Sequence, residues 1–276
     1  MISFPNAKIN LGLYITSKRG DGYHNIETIF YPAPIYDMLE LVRRSTAQQD
    51  DCIIHLYGLP VHGNTADNLC VKAYHLLKKD FPLLPPVDVH LYKNIPMGAG
   101  LGGGSADGAC MLSLLNEKFL LNIDEETLCR YALQLGSDCP FFIINKPCIA
   151  KGRGEIMEPI ALNLQGYYLM LVNPSIHIST AQAFSSIQPA MPEKNIHDII
   201  SMPISAWKDI LINDFEKSVF TLHPQIAGIK QQLYNAGAVY ASMTGTGSTV
   251  YGLFEKKIDK PETLFPDSYF VKMILL

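Results

Sequence analysis

Between residues 8 and 15 apolar and polar positions alternate strictly. Ile9, Leu11, Leu13 and Ile15 fall on one side, and Lys8, Asn10, Gly12 and Tyr14 on the other. A period of two predicts a half-buried β-strand whose second face carries a lysine and an asparagine. Further β-rich apolar segments at Ile26–Tyr31, Met38–Val42, Cys52–Tyr57 and Val87–Tyr92 are set apart by Gly, Pro, Asn and Asp, and read as the other strands of one sheet. In Asn68–Lys79 the period changes. Leu69, Ala73, Leu76 and Leu77 recur at helical spacing, and the segment ends in lysines, as a helix C-terminus favours.

A glycine run at Gly98–Gly104 leads into a predicted helix, Ser105–Asn116, whose Ala106, Ala109, Cys110 and Ser113 form a small-residue face suited to close packing. A second helix is expected over Glu125–Leu135, stopping at Gly136. The apolar runs Pro140–Ile144 and Tyr167–Val172 have the length of buried strands. After Lys151-Gly-Arg-Gly154 the pattern restarts. It predicts a strand at Tyr167–Val172, helices around Thr180–Ile187, Ser205–Leu211 and Ile226–Asn235, and strands at Ala238–Met243, Thr249–Phe254 and Tyr269–Leu275. The mixture implies an α+β protein of two domains, 1–154 and 155–276, without internal repeats or low-complexity tracts.

Composition narrows the function. A chain of 276 residues, 48% hydrophobic and 17% charged, has material for a sizeable core and is not a disordered protein. Its formal charge is −4 and its basic residues are scattered, so it carries no electrostatic footprint for nucleic acid. No apolar run approaches the ~18 residues of a membrane span. The opening Met1-Ile-Ser-Phe-Pro-Asn-Ala-Lys8 lacks the basic and apolar stretches of a leader, which makes a cytoplasmic location the expectation. The six cysteines form no CxxC pair and read as buried thiols rather than a disulfide framework or zinc site.

The strongest local signal is Pro96-Met-Gly-Ala-Gly-Leu-Gly-Gly-Gly-Ser-Ala-Asp107. Its glycines let the backbone approach a ligand and turn N–H groups inward, and the following helix adds the positive end of its dipole, so the segment suits a polyphosphate. Gly98, Gly100 and Gly103 also satisfy the dinucleotide pattern GxGxxG. A dinucleotide-dependent oxidoreductase, however, needs a second parallel strand ending in an acidic residue ~20 positions on, and here Asn122-Ile-Asp-Glu-Glu126 and another helix follow instead. The Walker pattern GxxxxGK[ST] is absent.

Pro96–Ala109 resembles the second motif of the galactokinase, homoserine, mevalonate and phosphomevalonate (GHMP) kinase superfamily. The form Gly-Leu-Gly-Gly-Gly-Ser-Ala-Asp is similar to that of its 4-diphosphocytidyl-2-C-methyl-D-erythritol kinase family. Three more matches follow in order. Pro5-Asn-Ala-Lys-Ile-Asn with Asp21-Gly-Tyr-His24 resembles the first motif, Leu135-Gly-Ser-Asp-Cys-Pro-Phe141 the catalytic-Asp segment, and Met243-Thr-Gly-Thr-Gly-Ser248 the third motif, preceded by Asn213-Asp-Phe-Glu216. Gly108, Cys139 and Thr244 depart from the usual Ala, Val and Ser, and Ile178–Phe184 matches only loosely.

The resemblance implies a two-domain GHMP-kinase-like fold with the active site in the interdomain cleft. Residues 1–154 would bind ATP and hold the catalytic groups, and 155–276 would bind substrate. Asp138 would be the general base and Lys8 its charge partner; on its own a carboxylate between a helix end and Pro140 is equally a turn residue, whereas for Lys8 the plain alternative of a solvated strand charge is disfavoured by Asn10 facing the same way. Asn10, Tyr23, His24, Thr180 and Phe184 would form the substrate site. Tyr23 and Phe184 would stack on cytosine from opposite sides while His24 meets its edge; a turn histidine and a core phenylalanine are the plain alternatives. Asn68, Lys93, Pro96, Gly98, Gly100, Leu101, Gly102, Gly103, Gly104, Ser105 and Asp107 would surround ATP, with Ser105 touching phosphate or Mg²⁺ through its hydroxyl or simply capping its helix. Gly245, Thr246 and Gly247 would form a supporting loop, or a plain hairpin. Mg²⁺ is implied by the polyphosphate, with no dedicated carboxylate cage for it in the sequence. Beyond a small-molecule substrate no partner is expected, and the oligomeric state stays open. The rivals are a mevalonate- or homoserine-type kinase, which Asp21-Gly-Tyr-His24 argues against, and a non-catalytic sensor on the same fold, which should lack the base or the lysine.

Overall fold

The computed structural model describes residues 1–45, 50–184 and 187–276, the side chain of Thr180 excepted. Two compact units interleave along the chain.

The first unit comprises 1–7, 35–97 and 102–145. Its sheet runs in the order Ile2–Ser3, Met38–Arg43, Val87–Lys93, Cys52–Gly58, with neighbours antiparallel except for the parallel pairing of Cys52–Gly58 with Val87–Lys93. Alternation works as expected, since Leu39, Leu41, Val87, Val89 and Leu91 point into a core shared with the helices Leu69–Asp80, Gly103–Phe119 and Glu125–Leu135. Each helix start has its own chemistry. Asn68 accepts from Cys70 N (2.9 Å) and Asp124 from Thr127 N (2.7 Å), whereas Gly102, in the left-handed region, caps Gly103–Phe119 without a side chain. That helix begins two residues earlier than its sequence suggests. Pro140–Ile144, of strand length, lies instead in the short helix Cys139–Ile144, because Pro140 in the first turn has a φ preset for helix and gives up an N–H that would be orphaned there.

The second unit comprises 8–34, 98–101 and 146–276. One of its sheets runs Asn6–Lys18, His24–Tyr36, Cys148–Gly152, Ile156–Pro159; the other is antiparallel, in the order Tyr240–Met243, Val250–Phe254, Tyr168–Asn173, Phe270–Leu275. The N-terminal strands thus divide between two sheets rather than forming one, since His24–Tyr36 pairs with Cys148–Gly152. The helices Phe215–Leu222 and Pro224–Asn235 cover a core of Met170, Val172, Val219, Ile226, Leu233 and Val250. In place of a helix at 205–211 there is only the turn Ile204–Ala206, beside which Trp207 is buried and donates its indole N–H to Met202 O. Asn6–Lys18 is buried on both faces through Ile15, not on one. Residues 210–214 and 251 cover the face that carries Tyr14: Tyr14 donates to Ile210 O (2.8 Å), Leu13 N to Ile212 O (2.8 Å) and Tyr251 to Asn10 O (2.7 Å). All six cysteines are free. Among the described residues no helix is long and apolar enough to cross a membrane.

Candidate active site

The alternation that opens the chain places Lys8 and Asn10 side by side in the second unit, each no more than 3% exposed. Lys8 Nζ donates to Asn10 Oδ1 (2.6 Å) and lies 4.9 Å from the centre of the Phe30 ring. Asn10 Nδ2 donates to Thr28 Oγ1 (3.0 Å), which donates to Gly12 O. Burying a lysine and an amide costs several kcal/mol unless their hydrogen bonds are made, so each group here constrains the next.

The third motif closes the network. Thr244 Oγ1 accepts from Asn10 N (3.0 Å) and lies within hydrogen-bond reach of Asn10 Oδ1 (3.1 Å) and Gly100 O (3.0 Å). Asn213 Nδ2 donates to Met243 O and Gly245 O, which fixes the turn containing Gly245, Thr246 and Gly247. The first half of the glycine run is held to the same scaffold. Lys8 N donates to Leu101 O (2.9 Å), Thr249 N to Ala99 O (3.3 Å), and a Cβ on Gly100 would sit 2.0 Å from Thr244 O. No other residue fits at Gly100. Gly98 faces His177, and the Leu101 side chain is buried, so at Leu101 the chain presents backbone. Thr28, Asn213 and Thr244 carry this network. The sequence marks Thr244 only as a departure from a motif and Asn213 only as a neighbour of one.

In the first unit, Gly102, Gly103 and Gly104 enter the helix Gly103–Phe119, whose first turn has no acidic residue and no side-chain cap. Helix geometry leaves the N–H groups of residues 103–105 without an intrahelical acceptor, and a Cβ on Gly104 would meet nothing within 4 Å. These donors, with the dipole behind them, fit a phosphate. Pro96 is half-buried where the chain leaves its strand. Ser105 is the third helical residue rather than the cap, and its hydroxyl bonds the Cys139 thiol, whose pKa burial pushes up to about 12.

Lys93 and Asp107, expected around ATP, belong to a buried ion triad. Lys93 Nζ bonds Asp37 Oδ2 and Asp107 Oδ2 (2.6 Å), with the Lys93 side chain 0% exposed. Burial works against the Lys93 charge, but Asp107 and Asp37 together raise its pKa above the ordinary value. Burial lifts Asp107 to about 7, with Lys93 opposing the shift and Asp37 adding to it. Asn68, also expected near adenine, spends its side-chain oxygen capping Leu69–Asp80.

Asp138 is half-buried at the start of Cys139–Ile144, and its side chain makes no capping bond to that helix. Of the substrate residues, His24 stacks on Phe184 (4.6 Å, 19°), and Phe184 meets Phe215 edge-on (4.8 Å). No base can lie between His24 and Phe184 as they stand. Tyr23 is exposed, with the Arg153 guanidinium 4.0 Å from its ring centre. The side chain of Thr180 lies outside the described residues. Among the described residues no group of three or more His, Cys, Asp and Glu could hold a metal ion.

The family models for the GHMP kinases N terminal domain and the GHMP kinases C terminal match residues 68–146 and 199–263. The 4-diphosphocytidyl-2-C-methyl-D-erythritol kinase of Bacteroides thetaiotaomicron is 56% identical over 95% of this chain and 95% of its own, and that of Cytophaga hutchinsonii 47% over 95% and 94%. A crystal structure of a 4-(cytidine 5'-diphospho)-2C-methyl-D-erythritol kinase superposes with TM-score 0.79 at 29% identity, covering 92% of this chain and 90% of that one. The mevalonate kinase of Methanococcus jannaschii shares the fold, with TM-score 0.68 at 13% identity and coverage of 100% and 98%.

Proposed function

This chain belongs to the 4-diphosphocytidyl-2-C-methyl-D-erythritol kinase family of GHMP kinases, and from that premise we propose that it moves the γ-phosphoryl group of ATP to the tertiary 2-hydroxyl of 4-diphosphocytidyl-2-C-methyl-D-erythritol. This is a cytoplasmic step toward isoprenoid precursors that bypasses mevalonate. Near-complete coverage by relatives of that name carries the reading. The network that ties Lys8, Asn10, the glycine run and the third motif together supports it.

Asp138 takes the proton from the attacking hydroxyl. Lys8, as its charge partner, keeps the base ionised and offsets negative charge on the transferred group. Its bond to Asn10 fixes the ammonium, so little reorganisation accompanies reaction. The N–H groups at 102–105 hold phosphate oxygens, Pro96 through Leu101 shape the loop, and Asn68 supports the adenine end. Mg²⁺, when bound with the nucleotide, would supply charge neutralisation for the phosphates. Tyr23 and His24 receive cytosine by stacking and edge hydrogen bonds, with Phe184 and Thr180 contributing from residues 155–276.

The test is ADP release measured in parallel with diphosphocytidyl methylerythritol, mevalonate and homoserine. The first should give turnover at least about a hundredfold above the others, since a site built around one substrate's polar groups rejects analogues lacking them by that much or more. Equal turnover with mevalonate or homoserine would overturn the assignment.

A further inference from the structure

The triad lies where the glycine run is anchored at both ends. At the strand end, Asp37 Oδ1 accepts from Asn94 N (2.6 Å) and Ile95 N (2.8 Å), the residues just before Pro96. At the helix end, Asp107 bonds the Lys93 ammonium, and a Cβ on Gly103 would lie 2.9 Å from Ile95 Cγ2 and 3.4 Å from Lys93 Nζ. One lysine thus joins the exit of a strand to the second turn of the helix that ends the loop.

The charges do not balance, because two carboxylates share one ammonium. Asp107 Oδ1 is buried and bonded to nothing. The titratable and charged groups around Asp107 are Lys93 and Asp37, Cys70 on Leu69–Asp80 and Cys110 on its own helix. The two thiols are pushed up by burial and by Asp107 itself, so they remain neutral and cannot offset its charge.

We propose that the Asp37–Lys93–Asp107 triad positions the phosphate loop and is proton-linked to it: an anion entering the loop draws a proton from solvent onto Asp107 Oδ1, and the protonated triad binds that anion more tightly. The inference rests on reading Gly98–Gly104 as the nucleotide loop. Asp107 is five residues into a helix that rises ~1.5 Å per residue, so the excess negative charge lies ~7 Å from an anion at the helix start and opposes it across protein rather than water. Linkage makes the effect reciprocal. The proton exchange falls near neutral pH because burial lifts Asp107 to about 7. These residues touch no nucleotide and act as positioning residues.

The test is calorimetric titration of Mg·ADP into the full chain, in two buffers of different ionisation enthalpy, from pH 6 to 8.5. Wild type should take up about half a proton more than Asp107→Asn near pH 7, and its ADP affinity should fall by about tenfold across the range relative to that variant. Asp37→Asn removes the second carboxylate charge but keeps an acceptor for Asn94 and Ile95, so it should move the midpoint to lower pH; this variant decides the matter if Asp107→Asn fails to fold. Equal proton counts in wild type and Asp107→Asn, or an unmoved midpoint in Asp37→Asn, overturn the proposal. Gly102→Val separates the premise: if it binds ADP as tightly as wild type, the loop reading itself has failed.

Discussion

Two neighbouring helices of the first unit begin in opposite ways. Glu125–Leu135 is closed by its own residues: Asp124 caps Thr127 N, and Glu125 and Glu126 place negative charge in the first turn. Gly103–Phe119 begins with glycine, no acid and no capping side chain. A helix that uses its N-terminus for stability fills it as the first does. The second leaves the N–H groups of its first turn without a capping side chain, an arrangement that suits a phosphate. Asp138 sharpens the contrast, because it occupies the same cap position as Asp124 yet does not cap its helix.

Substituting Asp138, the aspartate that does not cap its helix, should give the largest effect. Asp138→Asn keeps the shape and removes the base, and turnover should fall by about 10²–10⁴ with ADP affinity within a few-fold. Near-normal turnover in a folded variant would sink the base assignment.

Writing the first turn of Glu125–Leu135 onto its neighbour comes next. Gly104→Asp has room for the side chain, supplies the missing acid, and should weaken ATP by about 10- to 100-fold while leaving the fold intact. Isothermal titration beside a thermal melt reads both; tighter or equal binding contradicts the account. Tyr23→Ala should raise KM for the diphosphocytidyl substrate by about one to two orders of magnitude with a smaller change in kcat. An unchanged KM would remove Tyr23 from the site.

The smallest effect is the mirror image. Asp124→Ala should lower stability slightly through the lost cap on Thr127 N and leave nucleotide binding alone. Its sign with pH differs from that of Asp107. Asp107 is raised in the folded state, so its contribution to stability is present below pH 4 and lost as pH rises toward 7. Asp124 is lowered, chiefly by its bond to Thr127, so its contribution is lost as pH falls below the usual carboxylate range. Chemical melts at about pH 2.5, 4, 6 and 8 should show Asp107→Asn gaining on wild type as pH rises from 4 to 8 and Asp124→Ala gaining as it falls below 4.

Much of this contrast was legible in the chain. Glu125–Leu135 has the bounds its sequence predicts, because the cap, the acids and Gly136 are all local signals. The glycine run was legible as a loop leading into a helix for the same reason, since its last glycines open Gly103–Phe119. Partner choice was not, because a period of two says which face is buried but not which strand lies alongside, and the N-terminal strands therefore split between two sheets. Phe215–Leu222 escaped because Glu216 interrupts its apolar face. That carboxylate is buried and satisfied by Lys230, Ser242 and Met243 N, 14 to 27 residues away. Thr244 and Thr28 were invisible as site residues, since a hydroxyl takes its role from neighbours that only folding supplies. Lys93 reads as a nucleotide contact until Asp37, 56 residues away, is seen beside it.

The most direct test of the contrast between the two helix starts is amide hydrogen exchange with and without Mg·ADP, resolved to single residues. Exchange at 102–105 should slow strongly on ADP binding while 124–127, already closed by Asp124, stays unchanged. Equal protection of both helix starts, or none at 102–105 under saturating ADP, would contradict the claim that the uncapped helix receives the nucleotide.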